Sequence, residues 1–450
     1  MRYISNTPEE QEEMLAEIDV EELSELFSII PDEVMLDEPL ELPEGMSEME
    51  VLELAKSKAD RNVSLEEIDS YLGAGSYDHF LPSIIDHLVL RQEFYTAYTP
   101  YQAELSQGTL QSMYEYQSMI ANLTGMDIAN ASLLDGGSAV GEAILMAARL
   151  TRNDRVIMSE TLHPSYREVA RTYGESQDIE FSYISRGEGA TADYSNLEDL
   201  LDENTAAVVV QYPNFYGSIE NLEEVSEIVE EKSDAQLIVV ANPIALGLLT
   251  PPGEFGADIV VGEGQPLGNM ANYGGPYLGY LATKKDRSVI RNIPGRMAGK
   301  TTDNEGNEGF VMFMQTREQH IKRERATSNI CTNENLNALM AAIYMAAMGK
   351  QGLQEVAQHC YQKTSYLQER LAEISGVEIV NDNNHFHEFW IKTDKPAKEV
   401  EKAMVERGIL PGVDLSQFGE VEGLLVNVTE KKDKEALDNY VSALEVVLNE

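Results

Sequence analysis

Between about residues 110 and 285 the chain repeats one pattern, a short run of apolar and β-branched residues followed by a stretch with helical spacing. The runs are residues 155–159 (RVIMS), 179–184 (IEFSYI), 206–211 (AAVVVQ), 236–241 (QLIVVA) and 257–261 (ADIVV), and helical spacing opens near Gly136, at Pro164 and over 220–232. Most of these runs lack the apolar/polar alternation of a half-exposed sheet, so their strands are expected to be buried on both faces. Strands that alternate with helices pair in parallel, because each helix serves as the crossover. The class that follows is α/β, a doubly wound and mostly parallel sheet. Ligands of such sheets lie beyond the carboxyl ends of the strands, which directs attention to the loops after Gln211, Ala241 and Val261.

The flanks read differently. Residues 1–65 form an acidic helical arm, with Thr7 as N-cap, Pro8 at the first helical position, Glu10 closing a capping box and apolar Met14, Leu15, Ile18, Leu23, Leu26 and Phe27 behind them. Residues 66–330 hold the large α/β domain. Residues 331–450 begin with helical spacing over 333–373, broken around 349–352, and continue into a small α+β domain.

Charge narrows the partners. The chain has 78 acidic and 33 basic residues, a net charge of -45, which argues against nucleic acid or an anionic membrane. Self-repulsion of that size is tolerable where salt screens it, and a salt-loaded, halophile-like cytosol is the preferred setting over an acidic protein of an ordinary cell. No apolar run is long enough to span a membrane and the first residues lack a secretion signal's apolar core, so the chain is expected to be cytoplasmic. Cys331 and Cys360 read as free thiols. The charge is uneven: residues 1–53 carry a net -17, whereas residues 284–325 carry +4. That basic island fits either an anionic neighbour or a helix face laced with Glu/Arg pairs.

Four motifs invite a chemical reading. In residues 262–268 (GEGQPLG) a glycine-rich phosphate loop is rejected, because Glu263 repels phosphate, Pro266 lacks a backbone donor and no helix follows. Tyr95, Tyr98, Tyr101 and Tyr114, around Thr99 and Pro100, offer rings and hydroxyls to a planar cofactor or a partner surface, or else to core packing. Arg317, His320, Lys322, Arg323 and Arg325 follow one another closely; on a helix Arg317 and His320 share a face and suit a carboxylate or phosphate. Thr327, Ser328 or Thr332 is then expected to cap the helix beginning near Asn333. His385 and His387 alternate on an expected strand, but without carboxylate or cysteine support no metal site is assigned.

The segments YTAYTPYQAELSQG (95–108), NASLLDGGSAVGEA (130–143), YGGPYLG (273–279), PGRMAG (294–299) and TREQHIKRERATSNICTNENL (316–336), with the acidic helical start, resemble the first (alpha) subunit of the two-subunit P-protein family of the glycine cleavage system. The resemblance runs over essentially the whole chain. It implies the aminotransferase-like (type I) fold of pyridoxal-phosphate enzymes, and a complex that decarboxylates glycine and passes the aminomethyl group to the lipoyl arm of the H-protein. Such a site supplies a lysine to anchor the cofactor aldehyde and a carboxylate to the ring nitrogen. Here no lysine, arginine or histidine occurs between Lys232 and Lys284. The resemblance places Asn242 where a cofactor-binding relative offers an aspartate, and Gln265 about where the lysine would stand. His163 remains as the ring-stacking residue of an ancestral site.

This chain is therefore expected to hold no catalytic site of its own, no cofactor and no metal, and to pair with a second subunit that carries pyridoxal phosphate, as a heterodimer doubled into α2β2. Tyr95, Tyr98, Thr99, Tyr101, Gln102, Arg317, His320 and Arg323 are the candidates for contribution across the interface. A self-sufficient pyridoxal-phosphate enzyme and a purely structural scaffold for the partner are the alternatives.

Overall fold

The structure, a computed structural model, describes residues 5–36, 38, 40–187, 189–272, 276–313, 318–330, 333–381, 384–419 and 421–450. It divides into two compact units, Met1–Val63 and Ser64–Glu450.

In the first unit Thr7 caps the helix Pro8–Glu17 through the expected capping box, and Ser47 with Glu50 repeats the device on Glu48–Ala59. Neither helix buries a residue. Capping satisfies the orphan N–H groups of the first turn, so these helices draw on local terms.

The second unit is built on a seven-stranded sheet in the order Ile128–Ala129, Gly279–Thr283, Ile259–Glu263, Gln236–Ala241, Thr205–Tyr212, Arg155–Ser159, Glu180–Ile184. The last five run parallel; Gly279–Thr283 and Ile128–Ala129 add antiparallel pairs at one edge. Successive residues of a strand point to opposite faces, and the apolar runs sort accordingly. Ile157, Val208, Val210, Leu237, Val239 and Val260 join one core, against the helices Gln107–Thr124, Leu222–Lys232 and Asn335–Ala372. Val156, Met158, Val209, Ile238, Val240, Ile259 and Val261 join the other, beneath Gly136–Thr151 and Pro164–Glu175. Both faces are covered, so an uninterrupted apolar run is what the position requires.

The helix Asn335–Ala372 leads to the small domain and is broken at Gly349, whose φ of 60° and ψ of -177° are not helical. The break falls in the expected interval. The small domain has a four-stranded antiparallel sheet, Val377–Ile379, Glu388–Thr393, Leu424–Asn427, Val413–Asp414, backed by Ala397–Val405 and Lys434–Asn449. Tyr71, Phe389, Ile391, Val426, Tyr440 and Leu444 form its core.

Three local expectations are corrected. Residues 297–313 form a hairpin, Met297–Thr302 with Glu308–Phe313, so this part of the basic island is sheet. The long helix starts after Glu334 with no side-chain cap; Ser328 donates instead to Glu142 Oε1 at 2.9 Å, and Thr332 lies outside the described residues. His385 and His387 precede the strand Glu388–Thr393, and His385, Phe386 and His387 are all buried, so no alternation separates them. Cys360 is a buried free thiol, and Cys331 lies outside the described residues. Among the described residues no helix is long and apolar enough to cross a membrane.

Candidate functional site

At the carboxyl edge of the parallel sheet, where the fold directs a ligand, the chain's own side chains meet. Gln236–Ala241 ends at Asn242, whose Oδ1 accepts from the backbone N–H groups of Ile244 (2.9 Å) and Ala245 (3.1 Å), while its Nδ2 lies 3.2 Å from His387 Nε2. Both ends of the amide are thus engaged. Gln265 is fully buried; its Oε1 accepts from Tyr77 N at 2.9 Å and its Nε2 donates to the carbonyls of Tyr77 (3.0 Å) and Asn269 (2.8 Å).

Glu263 closes the strand Ile259–Glu263. Its carboxylate accepts from Gly136 N (3.0 Å), Gln265 N (2.9 Å) and Leu278 N (3.0 Å). Gly136 is the first residue of a sixteen-residue helix, so Glu263 fills the anion position that the helix N-terminus creates. Burial pushes this carboxyl up to about 7 against the pull of those three donors. Glu388 is its counterpart from the small domain, accepting from Ala74 N (2.7 Å) and the Tyr77 hydroxyl (2.8 Å), and burial likewise pushes it up to about 7. The loop 74–80 is held further along by Glu430, which accepts from Phe80 N at 2.7 Å and meets His79 Nδ1 at 2.7 Å.

His163 Nδ1 accepts from Ser165 N at 3.1 Å, which leaves the proton on Nε2 to donate to the Ala74 carbonyl at 2.9 Å. Burial lowers its pKa to about 4, so the ring is neutral. The Tyr166 ring stacks on it at 4.4 Å and 18°. Tyr166 also approaches Gly136 so closely that a Cβ there would lie 2.6 Å from its hydroxyl. A larger residue at that position would have to displace the Tyr166 ring.

A second cluster gathers the tyrosine loop and the basic segment. Tyr95, Tyr98 and Tyr101 are 58 %, 79 % and 52 % exposed, so packing in the core is not their role; Tyr114 does pack, against Phe310. Thr99 and Tyr101 accept from Arg296, Tyr101 meets the His320 ring edge-on at 6.2 Å, and His320 Nδ1 lies 3.5 Å from Glu318 Oε2. Tyr95, Tyr98, Gln102 and Arg323 make no side-chain hydrogen bond, ion pair or ring contact among the described residues. Gln319–Lys322 is a single helical turn ended by Arg323 at φ 54°, and Arg317, whose face was to be shared with His320, lies outside the described residues.

The model of the glycine cleavage system P-protein family matches residues 1–444. A protein of Carboxydothermus hydrogenoformans described as "Probable glycine dehydrogenase (decarboxylating) subunit 1" is 49 % identical over 446 residues, 99 % of each chain. The chain belongs to the glycine cleavage system P-protein family. A crystal structure of glycine decarboxylase (P-protein) in inhibitor-bound form superposes with a TM-score of 0.90 at 40 % identity over the whole of both chains. Sphingosine-1-phosphate lyase of Burkholderia pseudomallei, 18 % identical over 93 % of this chain and 95 % of its own, matches with a TM-score of 0.68 and shares the fold. The fold is thus the aminotransferase-like type I fold of pyridoxal-phosphate enzymes.

In this P-protein chain the residues at the carboxyl edge do not fit pyridoxal phosphate. Gln265 has no amine and spends its amide on backbone. Asn242 has no charge to balance a pyridinium, and its carbonyl oxygen already accepts two N–H groups. The Gly136 N–H that would greet a phosphate is taken by a carboxylate. One face of the His163 ring is already stacked by Tyr166. Asn242, Gln265 and His163, named from the sequence, lie at this edge together with Glu263, Tyr77, Tyr166 and Glu388, which the sequence alone did not mark. The signal available for Glu263 was a buried acid in an apolar run, and the reading used it only as a repellent of phosphate. Arg296 lies inside PGRMAG, and nothing in that string marks its contacts with Thr99 and Tyr101.

Proposed function

We propose that this chain is the first of two subunits of a glycine decarboxylase, and that pyridoxal phosphate is carried by the second. The complex removes CO2 from glycine and transfers the aminomethyl group to the lipoyl arm of the H-protein; an α2β2 assembly in a salt-rich cytosol is the setting. The single observation that carries this reading is Gln265, a buried amide in three hydrogen bonds about where the resemblance puts the anchoring lysine. An end-to-end match to proteins named as subunit 1 supports the second chain. Exposed tyrosines support a surface that a partner covers, since rings with hydroxyl ends suit interfaces. Thr99, Tyr101 and His320, with Tyr95, Tyr98, Gln102, Arg317 and Arg323 beside them in sequence, are this chain's contribution to the shared site.

The test is to purify each subunit and the mixture, then measure cofactor absorbance, borohydride trapping and glycine-dependent exchange of bicarbonate with lipoylated H-protein present. Exchange is expected only from the mixture, with the trapped cofactor on the second subunit. A pyridoxyl group on a lysine of this chain would overturn the reading. Full turnover in an assembled complex bearing Tyr98→Ala and Arg317→Ala would reduce the chain to a scaffold.

A further inference from the structure

Arg296 is only 3 % exposed, yet Tyr101, which it holds, is exposed. It follows Gly295, whose φ of 72° makes the turn that sends the side chain back toward the tyrosine loop. Nη1 donates to Thr99 Oγ1 at 2.9 Å and Nη2 to Tyr101 Oη at 3.2 Å, with the guanidinium 5.5 Å from the Tyr101 ring centre. Nε faces Glu318 Oε2 at 3.7 Å, too long for a hydrogen bond, and among the described residues neither atom makes a hydrogen bond, although Oε2 also lies 3.5 Å from His320 Nδ1. Glu318, itself 8 % exposed, is also the carboxylate beside His320. One side chain thereby ties together two segments about two hundred residues apart in sequence.

Burying a charge is costly unless it is well paired, and this pair is unfinished. In a chain with 33 basic residues against 78 acidic ones, a cation spent in this way is not there for solubility. What the arrangement produces is a fixed outer face: Tyr98 and Leu105 are 79 % and 82 % exposed, and Ile321 is 48 % exposed. Side chains of that size left in water, two within or just after the loop that Arg296 holds and one beside His320 in sequence, suit one half of an interface.

We propose that Arg296 is a positioning residue for the complex. Its fork holds the loop 95–102 and residues 318–323 in one orientation, so that the second subunit closes over them next to the cofactor it carries, and docking shortens the Arg296–Glu318 gap to a hydrogen bond. The inference rests on the reading in the preceding subsection. Arg296 touches no substrate; it acts through Thr99, Tyr101 and Glu318.

Lysine at this position keeps a charge beside Glu318 but lacks the planar fork, which separates positioning from simple neutralisation. Full-length Arg296→Lys is mixed with the second subunit, assembly is followed by sedimentation, and bicarbonate exchange is measured with saturating second subunit and H-protein. The expected result is an assembled complex whose kcat is lower by about tenfold or more, with the glycine KM within about twofold of wild type. Thr99→Val with Tyr101→Phe removes both acceptors from an exposed loop without touching the core, and is expected to give the same loss should the lysine variant fail to fold. Wild-type exchange in either variant overturns the inference, as does a loss that excess second subunit fully restores. A wild-type mixture that neither assembles nor exchanges would instead overturn the functional reading beneath it.

Discussion

At the scale of single residues the pocket shows how a site can be closed by satisfying it from within. Asn242, Gln265, Glu263 and Glu388 at the carboxyl edge have each found partners in their own chain. Gln265→Lys would put an amine where the resemblance places one, but it would strand the Tyr77 N–H, for which an ammonium offers no acceptor, and set a charge in a fully buried position. A loss of roughly 2–4 kcal/mol in unfolding free energy is expected, with no visible cofactor absorption gained by the chain alone; a visible band on adding pyridoxal phosphate would contradict this. Glu388 makes a pH prediction. Its carboxyl is raised from 4.5 to about 7, so the folded state holds the proton more tightly than the unfolded chain does. The stability it contributes is whole below about pH 4.5 and is lost as pH rises toward 7, the sign opposite to that of a salt-bridged carboxylate. Glu388→Gln does not titrate and can still bond to Ala74 N and the Tyr77 hydroxyl. The difference in Tm between variant and wild type is therefore expected to move in the variant's favour from pH 5 to pH 8, and a pH-independent difference would show that Glu388 does not titrate there.

At the scale of elements, the large and small sheets of the second unit are joined through the turn 214–218. Gly217 has a φ of 87°, and a Cβ there would lie 2.1 Å from the Glu388 carbonyl oxygen. Ser218 bridges to His385 beside it, and Asn381 bonds to the Ser218 hydroxyl at 2.8 Å. This contact sets where Glu388 stands, and through it Ala74 and Tyr77. Gly217→Ala has to move backbone as well as adopt a left-handed conformation, so a destabilisation of roughly 3 kcal/mol or more is expected in urea unfolding. A loss under about 1 kcal/mol would mean the turn relaxes freely. The elements themselves were legible because their signals are local: the capping box at Thr7, the paired-face runs of the parallel sheet and the break near Gly349. The hairpin Met297–Phe313 was not, because its strands carry lysine, threonines and glycines at an exposed edge and the pairing that makes them strands is made across the turn.

At the scale of the whole molecule the charge of -45 dominates. Most of it is exposed, and exposed like charges repel over a Debye length of about 10 Å at 0.1 M salt and about 3 Å at 1 M. Raising KCl from 0.1 to 2 M is expected to raise the Tm of the chain by several degrees, read by calorimetry at constant pH. An unchanged or falling Tm would show that the acidic surface is tolerated without screening. The same charge makes the locally basic segment conspicuous, since a cation in this chain is seldom placed without a function.

The sequence by itself determined the sheet, the helices that cover it, the family resemblance and the stretch without a basic residue between Lys232 and Lys284, because each of these is written in neighbouring residues or in a distinctive string of letters. Only the tertiary structure decided which side chains meet: Glu263 meets Gly136, Glu388 meets Tyr77, and Arg296 meets Thr99 across separations of 127, 311 and 197 residues. Such pairings depend on where the chain returns in space, and a buried polar group shows its purpose only once its partner is known.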